Sequence, residues 1–337
     1  MTSALTISAT LIARNEARCI ARCLDSVRPF VDSILVLDTG STDGTPEIAR
    51  AHGAQVHRFA WADDFALARN RALDLADADW HLILDADETI ASGGALLREW
   101  CAGAPRLGRV CIHNQFDDAG QIRVNRSWIT RLIPRGARFE GRIHEQVASP
   151  LPRARIELHV LHDGYRDAQM AGKADRNRAL LLRDIAANPD DPYTAYQLGR
   201  EAEGRDEFAQ ACDWYAKAFA CADPSASWFH DLLVRFLHVL GQAGRTDEGL
   251  AFANAQMQAW SNSPDFFFVV GNLALDQALA DPAQALEDWL PLAVTCWERC
   301  LEIGEQPQLE GSVEGRGSHL AQHNLDLVRS QLAVLGR

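Results

Sequence analysis

The sequence has no run of about 20 apolar residues, the length that a membrane-spanning helix needs. Its first residues show no basic stretch followed by an apolar segment, so no export signal is indicated. Basic residues are outnumbered, since 33 lysines and arginines stand against 46 aspartates and glutamates and give a formal net charge of −13. An acidic chain repels the phosphate backbone of nucleic acid. We therefore expect a cytoplasmic protein that neither spans a membrane nor binds nucleic acid.

Several catalytic motifs are also missing. After the first predicted strand the sequence reads ARNEAR, where a dehydrogenase would carry G-x-G-x-x-G. A P-loop is absent, and so is the glycine-rich basic phosphate loop expected near the N-terminus of a nucleotidyltransferase. There is no arrangement of serine, histidine and aspartate, or of an activated cysteine, that would supply a covalent intermediate. These absences argue against each of those enzyme classes.

Among the eight scattered cysteines, two pairs stand at i,i+4, namely Cys19 with Cys23 and Cys296 with Cys300. This spacing places two thiols on one helix face and would suit a metal ion. However, no histidine or second cysteine pair lies beside either one, and buried cysteine is a common small core residue. We interpret both pairs as core residues with reduced thiols.

A chain of 337 residues is long enough for two domains. The first half alternates short apolar runs with helical patterns, which predicts an α/β layer structure. Strands are predicted at 5–12, 34–37, 55–59, 80–84, 109–116, 122–133 and 155–162, with a turn at 117–120. A helix is predicted at 65–76, and Thr45 is expected to cap another that begins at Pro46.

From about residue 173 the period becomes helical, so the predicted domains are 1–170 and 171–337. The stretch 192–224 resembles a tetratricopeptide repeat, and its Gly204 and Ala211 recur 40 residues later as Gly244 and Ala251. A weaker third copy and a glycine-rich loop at 311–317 precede a last helix. The resemblance implies an all-α, tetratricopeptide-like solenoid, of the kind that binds extended peptides or mediates self-association.

Two carboxylates, Asp85 and Asp87, directly follow the apolar predicted strand 80–84. On alternate residues of an extended segment they would point to one side and share a hard divalent cation, Mn²⁺ or Mg²⁺. Asn15-Glu16 and Asp38 follow two other predicted strands. Because an open α/β sheet binds ligands beyond the carboxyl ends of its strands, these polar clusters predict a nucleotide site.

Four segments in this order resemble the family-two glycosyltransferases of the GT-A fold: IARNE at 12–16, DTGSTDGT at 38–45, ARN at 68–70 and LDADE at 84–88. The resemblance covers roughly the first half of the chain. It implies an α/β, Rossmann-like domain that transfers a sugar from a nucleotide diphosphate with inversion, usually with Mn²⁺ or Mg²⁺. The substrate-binding residues implied are Ala13, Asn15, Glu16, Asp38, Arg69, Asn70 and Asp85.

In that resemblance Asp85 lies near the ribose and Asp87 on the metal, while Asp43 braces a loop. The segment FEGRIHE at 139–145 is similar to one that brings a catalytic acid to the acceptor side. Inversion needs one base to accept the acceptor's proton, and we choose Glu145, with Glu140 as its rival. The alternative is that Glu145 only pairs with Arg138 or Arg142.

The segment HDGY at 162–165 resembles the closing segment whose histidine completes the metal shell. The predicted metal ligands are therefore Asp85, Asp87 and His162, although a histidine at a strand end is often structural. The expected donor is a uridine diphosphate sugar and the expected acceptor a peptide, a protein or a glycan. The repeats offer a surface for a homodimer. The alternative function is a catalytically dead scaffold whose repeats bind a protein partner.

Overall fold

The computed structural model describes residues 5–118, 121–162 and 173–334. The chain divides into two compact units between Leu180 and Leu181, within the helix Lys173–Ala187. The predicted domain boundary after residue 170 and part of the predicted turn at 117–120 lie outside the described residues. None of the helices in these ranges is both long enough and apolar enough to cross a bilayer.

The first unit contains a mixed sheet of eight described strands in the order β3-β2-β1-β4-β7-β6-β10-β5. A separate hairpin is formed by β8 and β9. The strands are β1 (Ile7–Ala13), β2 (Ser33–Asp38), β3 (Gln55–Arg58), β4 (Trp80–Leu84), β5 (Glu88–Ser92), β6 (Leu107–Asp118), β7 (Gln121–Pro134), β8 (Arg138–Glu140), β9 (Gln146–Ala148) and β10 (Arg153–His162). The helices are α1 (Ile20–Val27), α2 (Thr45–Ala51), α3 (Phe65–Ala76) and α4 (Leu97–Cys101), with short 3₁₀ turns at Arg28–Phe30 and Gly94–Leu96.

The central strands β1, β2 and β4 run parallel to their neighbours within this group. Almost all of their residues are buried, because both faces of the sheet are covered. On one face Leu82 and Leu84 share a core with Leu24 of α1. On the other face Ile83 packs in a cluster with Leu73 of α3. The predicted positions of these strands and of the helix 65–76 are confirmed to within two residues.

The start of α2 differs from the prediction. The helix begins at Thr45 itself, with Gly44 before it, and its first backbone N–H, that of Thr45, donates to the Asp43 carboxylate at 2.9 Å. The Thr45 hydroxyl instead donates to Asp43 and accepts from the backbone N–H of Glu16 at 2.7 Å. Thr45 is therefore used to join two loops rather than to cap a helix, and the predicted cap is wrong for that reason.

In the described part of the second unit, every regular element is a helix. Its helices after Lys173–Ala187 are Pro192–Glu203, Phe208–Cys221, Phe229–Gln242, Thr246–Gln256, Pro264–Ala280, Leu290–Ile303 and His319–Val334, with a π-helical turn at Ala285–Trp289. Glycines allow close approach between paired helices. A Cβ atom added at Gly199 would lie 2.4 Å from Cδ1 of Tyr215, and one at Gly271 would lie 2.6 Å from Nε1 of Trp297. Small residues thus stand where the predicted repeats need them.

The paired cysteines are core residues, as predicted. Cys19 and Cys23 lie in the main core of the first unit, and Cys296 and Cys300 in that of the second. Burial raises the pKa of Cys19 to about 12 and that of Cys296 to about 12. These thiols therefore stay protonated and unreactive at neutral pH.

The glycine-rich loop at 311–317 is held within the second unit. The backbone N–H of Val313 donates to Asp265 at 2.9 Å, and that of Gly315 donates to Glu305 at 3.0 Å. Gly311, with a φ of +74°, lies against Asp231, where a Cβ atom would come within 2.1 Å of the carboxylate. The glycine at this position follows from both its backbone conformation and the close contact.

Candidate functional site

The predicted nucleotide residues follow strands that end at one edge of the sheet. Ala13 of β1 pairs with Asp38 of β2, and Leu11 of β1 pairs with Leu84 of β4, both in parallel register. Asn15, Asp38 and Asp85 are thereby brought to neighbouring strand ends. This edge is where open α/β sheets bind their ligands.

Hydrogen bonds join the first two loops at this edge. Asn15 adopts a φ of +58°, a left-handed conformation that asparagine tolerates better than most residues. Its side-chain oxygen accepts from the backbone N–H of Thr42 at 2.8 Å, and its own N–H donates to the Ser41 hydroxyl at 3.0 Å. The buried Asp38 accepts from the Ser41 N–H at 3.2 Å. Asn15 and Asp38 therefore belong to one braced loop pair.

The other members of the loop pair have local partners. The Ala13 carbonyl accepts from the Thr39 N–H at 2.9 Å, and the Glu16 carboxylate accepts from the Cys19 thiol at 3.2 Å. Asp43 accepts from the N–H of Ala17 at 3.1 Å and from Thr45. These contacts give Asp43 the bracing position that its motif implied.

Asp85 is held between two arginines. Residues 86 and 87 form a turn rather than the extended segment that was predicted, so Asp85 and Asp87 do not share one set of neighbours. Nη2 of Arg69 lies 2.8 Å from Oδ1 of Asp85, and Nη2 of Arg131 lies 2.7 Å from Oδ2. Burial alone would raise the pKa of Asp85, but the two guanidinium groups hold it well below its usual range.

Arg131 and Glu88 complete this buried cluster, and the sequence reasoning missed both as site residues. The same Nη2 of Arg131 lies 2.8 Å from Glu88, whose other oxygen accepts from the Asp85 N–H at 2.8 Å. Burial, together with the nearby charge of Asp85, raises the pKa of Glu88 to about 7 even though Arg131 opposes the shift. The available signal was a single arginine within the apolar stretch ITRLIP at 129–134.

Arg69 also reaches Glu145. Its Nε donates to the Glu145 carboxylate, whose side chain is 12% exposed. Arg138, one of the partners considered for Glu145, instead pairs with Asp74 at 2.8 Å. Glu140, the rival base, is exposed on β8. The structure therefore brings Glu145, rather than Glu140, to the Asp85 cluster.

Asn70 positions the β8–β9 hairpin, whose loop carries Glu145. Its amide group donates to the Phe139 carbonyl and accepts from the Phe139 N–H, both at 2.9 Å. Asp64 caps the same helix, α3, by accepting from the Leu67 N–H at 2.8 Å. Through these two hydrogen bonds Asn70 of α3 holds strand β8 in place.

His162 stands beside Asp87. Nε2 of His162 lies 3.4 Å from Oδ2 of Asp87, and Nδ1 contacts Oδ1 of Asn114 at 2.9 Å. The two side chains are 18% and 10% exposed. Burial lowers the pKa of His162, but the hydrogen bond and charge of Asp87, with the charges of Glu88 and Asp85, raise it overall. The rest of the HDGY segment lies outside the described residues, and Asn114 was not predicted.

The sequence model of the family described as Glycosyl transferase family 2 matches residues 8–136. A TPR repeat-containing protein of Synechococcus elongatus is 32% identical over 308 residues, which cover 83% of this chain and 75% of that protein. The chain belongs to glycosyl transferase family 2. The expected GT-A, Rossmann-like domain followed by a tetratricopeptide-like helical region is thereby confirmed.

Other relatives match shorter parts of the chain. The SPbeta prophage-derived glycosyltransferase SunS of Bacillus subtilis is 27% identical over 232 residues, covering 63% of this chain and 53% of SunS. The chain therefore spans about half the length of SunS. The crystal structure of glucosyl-3-phosphoglycerate synthase from Mycobacterium tuberculosis with Mn²⁺, UDP and glucosyl-3-phosphoglycerate shares 27% identity, covers 34% of this chain and 44% of that one, and has a TM-score of 0.27.

Proposed function

We propose that this transferase moves a sugar from a nucleoside diphosphate sugar, with a uridine diphosphate donor preferred, by a single displacement that inverts the anomeric carbon. The observation that carries the proposal is the pair Asp87 and His162, 3.4 Å apart, beside the edge where β1, β2 and β4 end. Family membership supplies the reaction class.

The chemistry of Asp87 and His162 fits a divalent cation such as Mn²⁺ or Mg²⁺. A carboxylate oxygen and an imidazole nitrogen 3.4 Å apart can bind one ion, and few protein ligands suffice where a diphosphate supplies the others. The contact between Nδ1 and Asn114 leaves Nε2 of His162 turned toward Asp87. A bound cation there would act as a Lewis acid that neutralises the diphosphate leaving group.

Asp85 then has a different role from Asp87. Both of its carboxylate oxygens accept from arginines, so we assign Asp85 to the ribose side of the donor and to anchoring the turn that carries Asp87. Nη1 of Arg69 is buried and has no hydrogen-bond partner among the residues that the structure describes, and it can donate to an oxygen of the donor or acceptor. Asn15, Glu16 and Asp38 form the nucleotide side of the same proposed pocket.

Glu145 is the proposed general base. Its pairing with Arg69 fixes its position, so that it can accept the proton of the acceptor's nucleophilic group as that group attacks the sugar. Arg69 thus links the donor side, through Asp85, to the acceptor side. A TPR repeat-containing protein is among the relatives of the chain. The helical unit is therefore proposed to bind a peptide, protein or glycan acceptor, or a second copy of the chain.

A screen of nucleotide sugars by mass spectrometry tests the proposal. The full chain should hydrolyse at least one donor slowly when Mn²⁺ is present, and a chelator should stop the reaction. Asp87→Ala should abolish it, whereas Glu140→Gln, an exposed carboxylate outside the cluster, should not. If a correctly folded protein turns over no donor under any metal condition, the proposal fails and the dead scaffold with a peptide-binding repeat unit replaces it.

A further inference from the structure

A second group of metal-binding side chains lies on β6 and β10. Cys111 and His113 are two residues apart on β6, so their side chains lie on the same face of the sheet. His159 of the parallel neighbour β10 stands opposite Cys111 in the register. One ligand atom from each of the three lies within 4.8 Å of the other two, and Nε2 of His113 is 3.0 Å from Nδ1 of His159.

The donor atoms of this group favour a cation of the zinc type. One sulfur and two imidazole nitrogens suit Zn²⁺, whereas Mg²⁺ and Mn²⁺ prefer oxygen ligands. In a tetrahedral zinc site, bonds of about 2.0–2.3 Å place neighbouring ligand atoms about 3.3–3.6 Å apart. The 3.0 Å between the two imidazole nitrogens is within a few tenths of an ångström of that spacing.

A carboxylate supports the orientation of His159. Nε2 of His159 lies 3.3 Å from Oε2 of Glu157, two residues earlier on β10. When Nε2 carries the proton and donates it to Glu157, the lone pair on Nδ1 points toward His113 and Cys111. Metal-binding histidines commonly have such a carboxylate on their other ring nitrogen, because it fixes the tautomer and increases the basicity of the ring.

This group is separate from the Asp87 and His162 pair. Neighbouring residues of a strand point to opposite faces, and Asn114, which contacts His162, directly follows His113. The same two strands therefore carry Asn114 and His162 on one face and the cysteine and the other two histidines on the other. A cation at the second position would fix β6 to β10 just before the paired positions of Asn114 and His162.

We propose that Cys111, His113 and His159 bind one zinc-type cation, with the fourth position open to water. On binding, the Cys111 thiol gives its proton to solvent, and a bond forms between the thiolate sulfur and the metal. Without a cation, one neutral imidazole simply donates a hydrogen bond to the other. The two states differ in whether the sulfur is bonded to a metal, which a spectrum can show.

Cobalt(II) is the probe for the test, because a thiolate bound to Co²⁺ gives a charge-transfer absorption that imidazole or carboxylate ligands do not. The full chain, freed of metal with a chelator, should take up one equivalent of Co²⁺ with this absorption, and Zn²⁺ should displace it. Cys111→Ser should lose the absorption. Cys221→Ser, which removes an exposed thiol from the helical unit, should keep it.

A milder variant keeps the proposal testable if Cys111→Ser does not fold. Glu157→Gln changes a largely exposed side chain and should weaken Zn²⁺ binding by about 10-fold or more, as removal of an outer carboxylate does. Glu140→Gln should leave the Zn²⁺ affinity unchanged. A wild-type chain without the charge-transfer band, or a Glu157→Gln protein that binds Zn²⁺ as tightly as wild type, would overturn the proposal. Neither result bears on sugar transfer, which the Mn²⁺-dependent donor screen tests separately.

Discussion

Nη2 of Arg69 lies 2.8 Å from Oδ1 of Asp85, so a residue of α3 holds the acidic turn in place. Nε of the same side chain donates to Glu145. One guanidinium group therefore fixes two carboxylates that we assign to opposite sides of the reaction. Arg131 holds the second oxygen of Asp85 and also contacts Glu88, which makes the cluster a network of buried charges rather than a set of separate pairs.

Arg131→Ala should destabilise the protein by about 3–5 kcal/mol, because it leaves the buried carboxylates of Asp85 and Glu88 without their shared partner. Arg135→Ala is the matched control. Arg135 follows β7 directly and pairs with Asp77 at the surface, where such pairs contribute about 1 kcal/mol or less. Urea unfolding of both variants measures the difference. Equal losses in the two would show that the buried cluster contributes no more than a surface pair.

Glu145→Gln should reduce turnover by about 100-fold or more while the donor nucleotide still binds. The amide keeps the shape and can still accept from Arg69, but it cannot take a proton. Single-turnover rates and UDP affinity, measured on the same protein, separate the two effects. Loss of UDP affinity in step with the rate would mean that Glu145 is structural.

Gly271→Ala should destabilise the helical unit by about 1–3 kcal/mol, since the new methyl group would overlap the Trp297 indole. Gly204→Ala is the control, because a Cβ atom there would meet its nearest neighbour at 3.4 Å. Thermal unfolding of the two variants should differ clearly. A Gly271→Ala protein as stable as Gly204→Ala would contradict the close packing of these helices.

His81 should make stability sensitive to acid. Burial, with the charges of Arg135 and Arg138, lowers the pKa of His81 to about 4. Its stabilising effect is complete above pH 6.5 and is lost as the pH falls toward 4, because the unfolded chain binds the proton more readily. The loss from this residue is about 3 kcal/mol at pH 4. His81→Gln should remove that part of the pH dependence in denaturant titrations, and an unchanged slope would contradict it.

The strands and helices that depend on neighbouring residues in the chain could be predicted from the sequence. Residues 34–37 are all apolar, and residues 80–84 are apolar except for the buried His81, because both faces of these strands are covered. The helix at 65–76 follows its Asp64 cap. The sequence could not predict contacts that depend on strand order. Arg131 contacts Asp85, which is 46 positions away in the sequence, and His113 contacts His159, which is also 46 positions away. Only the placement of β7 beside β4, and of β10 beside β6, brings these residues together.

The central claim is that Asp87 and His162 hold a divalent cation, whereas Asp85 is held in place by Arg69 and Arg131. Electron paramagnetic resonance of free Mn²⁺, titrated into the full chain with saturating UDP, measures this directly. Wild type should bind one Mn²⁺, Asp87→Asn should bind it at least about 10-fold more weakly, and Cys111→Ser, on the other face of β6, should match wild type. Mn²⁺ binding by Asp87→Asn as tight as that of wild type would contradict the account.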